Sequence, residues 1–301
     1  MKIAIHGLGK MGMQIAEKLT QEGHTVIAHN RSPEPIATAA AFGATPAHTK
    51  EEVAKAFGQD QAIIWLMVPA AVVEGELNAW LAILPAGSIL IDGGNSDFRQ
   101  TKQHAALVAS HQATLMDVGT SGGILGLANG FCMMVGGQEA DAQTLSPILD
   151  GLAKPHGSWH YFGPSGSGHF VKMVHNAIEY GMMESLAEGY RILREGPYEN
   201  LDLAAAGTVW QQGSIIASDL NGLAAEALKE NAALTGVDGF VAESGEARWT
   251  LEVAKTIGVQ LPSIQAAFDV RIASQQGETN FATKLLAELR NKFGGHAINK
   301  Q

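Results

Sequence analysis

Cysteine is nearly missing from this chain: Cys132 stands alone among 301 residues. An internal disulfide is thereby excluded, as is a structural metal site built on a cysteine set. Charged residues are also scarce, at 17%, and no Lys/Arg block of nucleic-acid-binding size occurs. The charge present leans acidic, with 20 basic against 30 acidic side chains for a formal −10. No general field therefore draws the chain to nucleic acid, although a local pocket can still hold an anion. No uninterrupted apolar run approaches the roughly 18 residues of a membrane span. The opening Met1-Lys2-Ile3-Ala4-Ile5 enters a glycine turn and lacks the shape of a signal peptide. These absences leave a cytoplasmic protein with no membrane partner as the expectation. What is abundant is hydrophobic residues, at 46%, and glycine, at 35 residues. That composition and length suit two well-packed domains.

A further absence bears on ligand choice. Residues 2–6 have the apolar content of a buried strand, and Gly7-Leu8-Gly9-Lys10-Met11-Gly12 follows at once. Residues 13–21 then show helical spacing, and residues 25–29 form the next strand candidate. In that setting a G-x-G-x-x-G run signifies dinucleotide binding; isolated, it is an ordinary glycine turn. Gly7 permits the tight turn, Gly9 lets the backbone approach a pyrophosphate, and Gly12 lets the helix pack on the sheet. The second strand ends in His29-Asn30-Arg31-Ser32, without the acidic residue that an NAD-preferring site places there. Arg31 suits a 2′-phosphate, with Asn30 and Ser32 adding hydrogen bonds, so NADP is favoured. If Arg31 merely stacks on adenine, NAD fits as well.

Further strand candidates cover residues 62–68, 88–91, 114–118 and 131–135, with a short edge strand at 159–162. Helical stretches at 51–56, 72–84 and 101–110 lie between them. The alternation predicts an α/β Rossmann-like dinucleotide-binding domain over residues 1–165, its mostly parallel sheet covered by helices on both faces. Ligands in such folds lie beyond the carboxyl ends of strands. Met67, Val68 and Pro69, the loop holding Asn95, and the loop at 119–123 with Ser121, Gly122 and Gly123 occupy such places.

Residues 155–168 are rich in Gly, Ser and Pro and read as the junction to an all-α domain over residues 166–301. The run at 169–183 reads as a long helix. Lys172, His175, Asn176 and Glu179 fall at i, i+3, i+4 and i+7 on one face, with Tyr180 beside them. The bland alternative is an exposed Lys-to-Glu stripe. The mixture of Lys, His, Asn, Glu and Tyr beside a strongly apolar surface favours a site instead. Later helices are expected at 201–212, 215–228, 248–257, 264–275 and 279–290. Trp210, Trp249 and Phe268 read as core residues, and Glu184, Asp202 and Asp219 as structural or surface acids. His104, His111, His156 and His160 lack ligand spacing, and no metal site is expected.

These motifs resemble the decarboxylating 6-phosphogluconate dehydrogenases, in the short form found in some bacteria, within the wider 3-hydroxyacid dehydrogenases. The block from Gly168 to Gly181 carries most of the likeness, joined by Ile91-Asp92-Gly93-Gly94-Asn95-Ser96 and Thr120-Ser121-Gly122-Gly123. The resemblance implies oxidative decarboxylation of 6-phospho-D-gluconate to D-ribulose 5-phosphate, in the pentose phosphate pathway or gluconate utilization. Lys172 and Glu179 would carry the proton chemistry. Asn95, Ser121, Gly122, Gly123, His175, Asn176 and Tyr180 would contact substrate, and Asn95 the cofactor too. Arg271 matches a phosphate-binding arginine. Arg290 and His296 match a tail that completes a neighbour's site, which implies a homodimer or larger assembly. One stretch departs from the long forms: Ser244-Gly245-Glu246-Ala247-Arg248-Trp249 puts Glu246 where a phosphate would be repelled. That departure keeps an unphosphorylated sugar acid open, beside a non-decarboxylating 3-hydroxyacid dehydrogenase. A dinucleotide-sensing protein without turnover is the remote alternative.

Overall fold

A computed structural model describes residues 1–298. The chain divides into two compact units, Met1–Met173 and a second beginning at Val174. In the first unit, strands β1 (Lys2–His6), β2 (Thr25–His29), β3 (Thr45–Ala47), β4 (Ile63–Leu66), β5 (Ile89–Asp92), β6 (Thr114–Ser121), β7 (Cys132–Gly136) and β8 (Ser158–Gly163) form one sheet. Its order is β3-β2-β1-β4-β5-β6-β7-β8. All neighbouring strands pair in parallel except β6 and β7, which are antiparallel. Helices α1 (Lys10–Gln21), α2 (Pro33–Ala41), α3 (Lys50–Phe57), α4 (Val73–Leu81), α5 (Phe98–Ser110), α6 (Gly126–Asn129) and α7 (Glu139–Ala153) complete it.

Alternation along β1 explains the layering. Ile3 and Ile5 enter one core with Ile15 and Leu19 of α1, Ile36 of α2 and Leu145 and Leu149 of α7. Ala4, pointing to the other face, joins Val53 of α3, Trp80 of α4 and Val108 of α5. The sheet is therefore covered on both sides, as its apolar strands require.

Several elements differ from the sequence expectation. Helix α2, strand β3 and helix α7 were not expected. Pro33 and Pro35 lie in the first turn of α2, where the missing N–H has no intrahelical partner to lose. Pro147 sits inside α7, yet Leu145, Ile148, Leu149 and Leu152 are all buried, and that burial carries the helix across the interruption. Strand β6 runs on to Ser121 instead of stopping at 118, because Gly119, Thr120 and Ser121 pair with Met134, Met133 and Cys132 of β7.

Helix α8 (Ser167–Glu195) starts in the first unit and continues into the second. Its first turns belong to the sheet: the buried Asp117 of β6 accepts from Gly166 N at 2.8 Å and His169 N at 2.9 Å. A carboxylate on these otherwise unpaired N–H groups also suits the positive end of the helix. Contact with β6 is why the division between units falls inside α8, beyond residue 165. The second unit continues with α9 (Leu203–Trp210), α10 (Asp219–Glu230), α11 (Glu246–Ile257), α12 (Pro262–Gln275) and α13 (Phe281–Gly294), with no strand among its described residues. Tyr190, Leu228, Leu234, Leu285 and Leu289 fill its core.

Candidate active site

The glycine-rich turn follows β1, and each of its glycines answers to a different demand. Gly7 has φ +99°, a conformation that L side chains rarely adopt. A Cβ on Gly12 would run into the carbonyl oxygen of Gly7, so close helix packing requires its absence. Gly9 has an ordinary φ of −73°, and a Cβ there would meet nothing within 4 Å. The fold does not ask for glycine at that position. Open space against the amino terminus of α1 is what an approaching pyrophosphate would use, so the turn fits a dinucleotide.

The sequence-picked neighbours gather around this turn. Asn30 Oδ1 accepts from Leu8 N at 3.0 Å, which makes Asn30 a brace for the loop. Arg31 and Ser32 are exposed, and so is Lys10. Met67 and Val68, just after β4, line the space that Cβ atoms on Gly7 and Gly12 would fill, while Met11 is half-buried and Pro69 exposed. The loop after β5 is shaped by the buried Asp92, missed in the sequence reading. It accepts from Gly94 N at 3.1 Å and Ser96 Oγ at 2.7 Å, leaving Asn95 exposed. An acid closing the apolar run Ile89-Leu90-Ile91 was the available signal.

The turn beyond β6, with Ser121 and Gly123 half-buried and Gly122 exposed, is tied to α1. Gln14 Nε2 donates to Gly123 O at 3.4 Å, and Gln14 Oε1 accepts from Leu127 N at 3.1 Å. Lys18, buried on the same helix, donates to Leu127 O at 3.2 Å. The cofactor helix and the loop expected to hold substrate are thus one hydrogen-bonded assembly. Lys172 belongs to this unit as well. It is 6% exposed, and its stem lies where a side chain on Gly119 of β6 would have to go. Gly119 is therefore a positional requirement of Lys172.

The second unit carries the rest of the α8 stripe. His175, Asn176 and Glu179 are half-buried, and Tyr180 is buried. His175 Nδ1 and Asn176 Oδ1 lie 3.0 Å apart, and Asn176 Nδ2 donates to Glu246 Oε1 at 2.9 Å. Glu246, expected to face a phosphate, is instead turned onto Asn176. Arg271 of α12, 2% exposed, sets its guanidinium 3.2 Å from the centre of the Tyr180 ring. It donates to Met183 Sδ at 3.5 Å, and its Nε is buried with no hydrogen-bond partner among the described residues. Burial, partly offset by Tyr180 and reinforced by Arg290, pulls the Arg271 pKa down to about 10. Arg290 is 8% exposed and also has its pKa lowered by burial, against the opposing pull of Tyr180, Glu246 and Glu179. Burial and the neighbouring Glu188 push the Glu184 carboxyl up to about 7.

Arg290 was expected in a tail serving a neighbouring subunit. It lies inside helix α13 and feels the acids of its own chain. His296, beyond that helix, is exposed and edge-on to Phe293 at 6.3 Å. Arg271 and Arg290 are thus two buried guanidiniums, with the fields of Glu179, Glu184 and Glu246 partly opposing the effect of burial.

A glycine turn fitted to a dinucleotide on a Rossmann-like sheet, followed by a helical unit, marks a nicotinamide-dependent oxidoreductase. Residues 2–163 match the NAD binding domain of 6-phosphogluconate dehydrogenase, and residues 168–300 match the 6-phosphogluconate dehydrogenase C-terminal domain. The chain belongs to the 6-phosphogluconate dehydrogenase family. It is 37% identical to the NAD(+)-dependent, decarboxylating 6-phosphogluconate dehydrogenase of Haloferax volcanii, covering 100% of this chain and 99% of that one. Its likeness to the Synechococcus elongatus decarboxylating enzyme is 30% identity over 93% of this chain and 63% of the relative. Among solved structures, Plasmodium falciparum 6-phosphogluconate dehydrogenase superposes with a TM-score of 0.82 at 27% identity, over 92% of this chain and 63% of that one. Mycobacterium tuberculosis 3-hydroxyisobutyrate dehydrogenase shares the fold, with a TM-score of 0.73 at 22% identity over 94% and 97% of the two chains.

Proposed function

We propose that this enzyme oxidises 6-phospho-D-gluconate at carbon 3 and then decarboxylates it to D-ribulose 5-phosphate. The observation that carries the reading is the pair Arg271 and Arg290, two buried guanidiniums, the second of which helps lower the pKa of the first, suited to a doubly charged phosphate. The oxidised nicotinamide, when bound, supplies the acceptor for the hydride leaving carbon 3. Lys172, neutral at the outset, takes the proton of the carbon 3 hydroxyl. The new carbonyl is beta to the carboxylate, so the pair released with carbon dioxide enters an enediol. Protonated Lys172 stabilises the developing oxygen charge. Glu179 then protonates the carbon that becomes carbon 1 of the product.

Asn95, Ser121, His175 and Asn176 orient substrate oxygens, and the backbone at Gly122 and Gly123 holds the carboxylate end. Tyr180 completes the phosphate site with the two arginines. The residues of the glycine turn, with Met67, Val68, Pro69 and Asn95, hold the dinucleotide. Arg31 and Ser32, exposed at the end of β2, favour NADP, with NAD accepted. A cytoplasmic homodimer is part of the proposal, with His296 reaching a partner's substrate. The buried Glu246, felt by Arg290, favours a second reading in which the substrate lacks the phosphate.

One experiment separates these readings. Reduction of NADP and of NAD is followed with 6-phosphogluconate, gluconate and 3-hydroxyisobutyrate, while carbon dioxide is measured in parallel. The expected result is fastest turnover of 6-phosphogluconate with stoichiometric carbon dioxide. Preference for gluconate would transfer the reading to the unphosphorylated acid, and reduction without carbon dioxide would sink the decarboxylation.

A further inference from the structure

Glu246 is the first residue of α11, is 1% exposed, and uses its two oxygens unequally. Oε1 accepts from Asn176 Nδ2 at 2.9 Å, whereas Oε2 is buried with no hydrogen-bond partner among the described residues. A carboxylate only accepts, so Asn176 must turn its NH2 group toward it, and this removes the usual ambiguity of an amide. Asn176 Oδ1 is then the atom facing His175 Nδ1, 3.0 Å away, and an amide oxygen also only accepts. His175 Nδ1 must therefore carry a hydrogen. In the neutral imidazole this makes Nε2 the accepting nitrogen.

We infer that Glu246 is a positioning residue: through Asn176 it fixes the tautomer of His175, so that His175 presents an acceptor and Asn176 a donor to substrate. The inference rests on the reading of His175 and Asn176 as substrate contacts given above. It assigns different partners to the two side chains. His175 Nε2 takes a hydrogen bond from a substrate hydroxyl, while the second N–H of Asn176 donates to a substrate oxygen. Stability alone is a poor explanation for Glu246, because a buried carboxylate with an unpaired oxygen costs stability that a neutral side chain of the same shape avoids. The charge facing it is Arg290, whose guanidinium its field helps to keep protonated. Pairing with Arg290 alone would require no particular orientation of Asn176, and this is where the two explanations part.

The first test uses the resting full-length protein, with nitrogen-15 NMR of the His175 ring assigned by comparison with His175→Gln. Wild type should hold the Nδ1–H tautomer, and Glu246→Leu should release it to a mixture. A wild-type proton on Nε2 overturns the inference whatever the substrate proves to be, and needs no variant at position 246 to fold. The second test is kinetic, with 6-phosphogluconate. Glu246→Leu should lower kcat/KM by about 10- to 100-fold, the scale of one hydrogen bond to a charged group. Glu246→Gln, which still offers an oxygen to Asn176, should recover most of that loss without lowering Tm. Both variants should bind the dinucleotide as wild type does. In an Asn176→Ala background, Glu246→Leu should add less than about twofold, since the chain of contacts is already cut. Additive losses there would overturn the inference. Failure of wild type to turn over 6-phosphogluconate would instead defeat the substrate reading and leave the tautomer measurement standing.

Discussion

In the proposed function, the groups offered to an anion at the glycine turn of the first unit belong to the main chain; around Tyr180 in the second unit they belong to side chains. The turn achieves its geometry by leaving atoms out, at Gly7, Gly9 and Gly12, and it needs no charged residue. The proposed second site brings Arg271 and Arg290 in from α12 and α13 and buries them, and burial outweighs the opposing fields of Tyr180 and the nearby acids. A main-chain site is close to free of desolvation cost, because its N–H groups are unsatisfied at any helix start. A site of buried guanidiniums lowers stability until its anion arrives. The two halves should therefore respond differently to mutation, and variants in each test that contrast.

The largest effect expected is at the lysine where α8 leaves the sheet. Lys172→Met should lower kcat by about 10²- to 10⁴-fold, the range for loss of a general acid–base group, while the dinucleotide Kd measured by calorimetry stays within about twofold. Turnover near wild type would remove Lys172 from the chemistry, and a parallel loss of dinucleotide binding would show that the turn depends on it. Next comes Arg271→Met. The lost charge-assisted contact should raise KM for 6-phosphogluconate by about 10- to 100-fold. Tm should hold or rise, because a buried cation with no carboxylate hydrogen-bonded to it among the described residues has been replaced by a side chain suited to the core. A large fall in Tm with KM unchanged would make Arg271 a structural residue and end the contrast.

Gly9→Ala supplies the opposite case and a smaller effect. Since a Cβ there meets nothing, the fold should be indifferent, and unfolding by urea should show no loss of stability. Dinucleotide affinity should fall by about tenfold, as a methyl group occupies the space meant for pyrophosphate. Substrate affinity measured without cofactor should not move. Unchanged dinucleotide affinity would show that the open space at Gly9 is not where the phosphates lie.

The contrast also explains what could be read in the sequence. Gly7 to Gly12 was legible because sterics act over six consecutive residues and the strand, turn and helix around them are local. Lys172 to Glu179 was legible because helical periodicity places them on one face. Glu246 meets Asn176, and Arg271 and Arg290 meet Tyr180, only through the packing of separate helices. Periodicity assigned α11, α12 and α13 to roughly the right residues without saying which faces converge, and family likeness marked the arginines. Of the two buried acids at the strand ends, Asp92 has local partners and only its place after an apolar run marked it. Asp117 binds backbone N–H groups of Gly166 and His169, far along the chain, so nothing in its own neighbourhood announces its partners. Prolines in α2 and α7 hid helices that tertiary burial sustains, and the antiparallel partner β7 lengthened β6 past the residues that local pattern assigned to it.

The smallest expected effect concerns acidity, where the two units carry shifts of opposite consequence. In the first, burial lowers the pKa of His6 to about 4, and burial also lowers His24 and His29. Trp80 Nε1 donates to His6 Nδ1 at 3.0 Å, which requires that nitrogen to be unprotonated. A histidine with a depressed folded pKa leaves the unfolded chain holding more protons. Its contribution is complete above the ordinary imidazole value of 6.5 and is lost as pH falls toward 4. In the second unit Glu184 is raised from 4.5 to about 7, chiefly by burial, and Glu288 is raised in the same direction. Here the folded state holds the extra proton, so stability is complete below 4.5 and is lost as pH rises through 7. Between 4.5 and 6.5 one unit should loosen as the other tightens. Amide hydrogen exchange, corrected for its intrinsic pH dependence, resolves the units separately. Acidification across that window should weaken protection in β1 and β2 and strengthen it along the later turns of α8, each by on the order of 1 kcal/mol. Glu184→Gln should flatten the second trend and His6→Asn the first. If both units follow pH in the same direction, the buried imidazoles and the buried carboxyl do not govern their local stability.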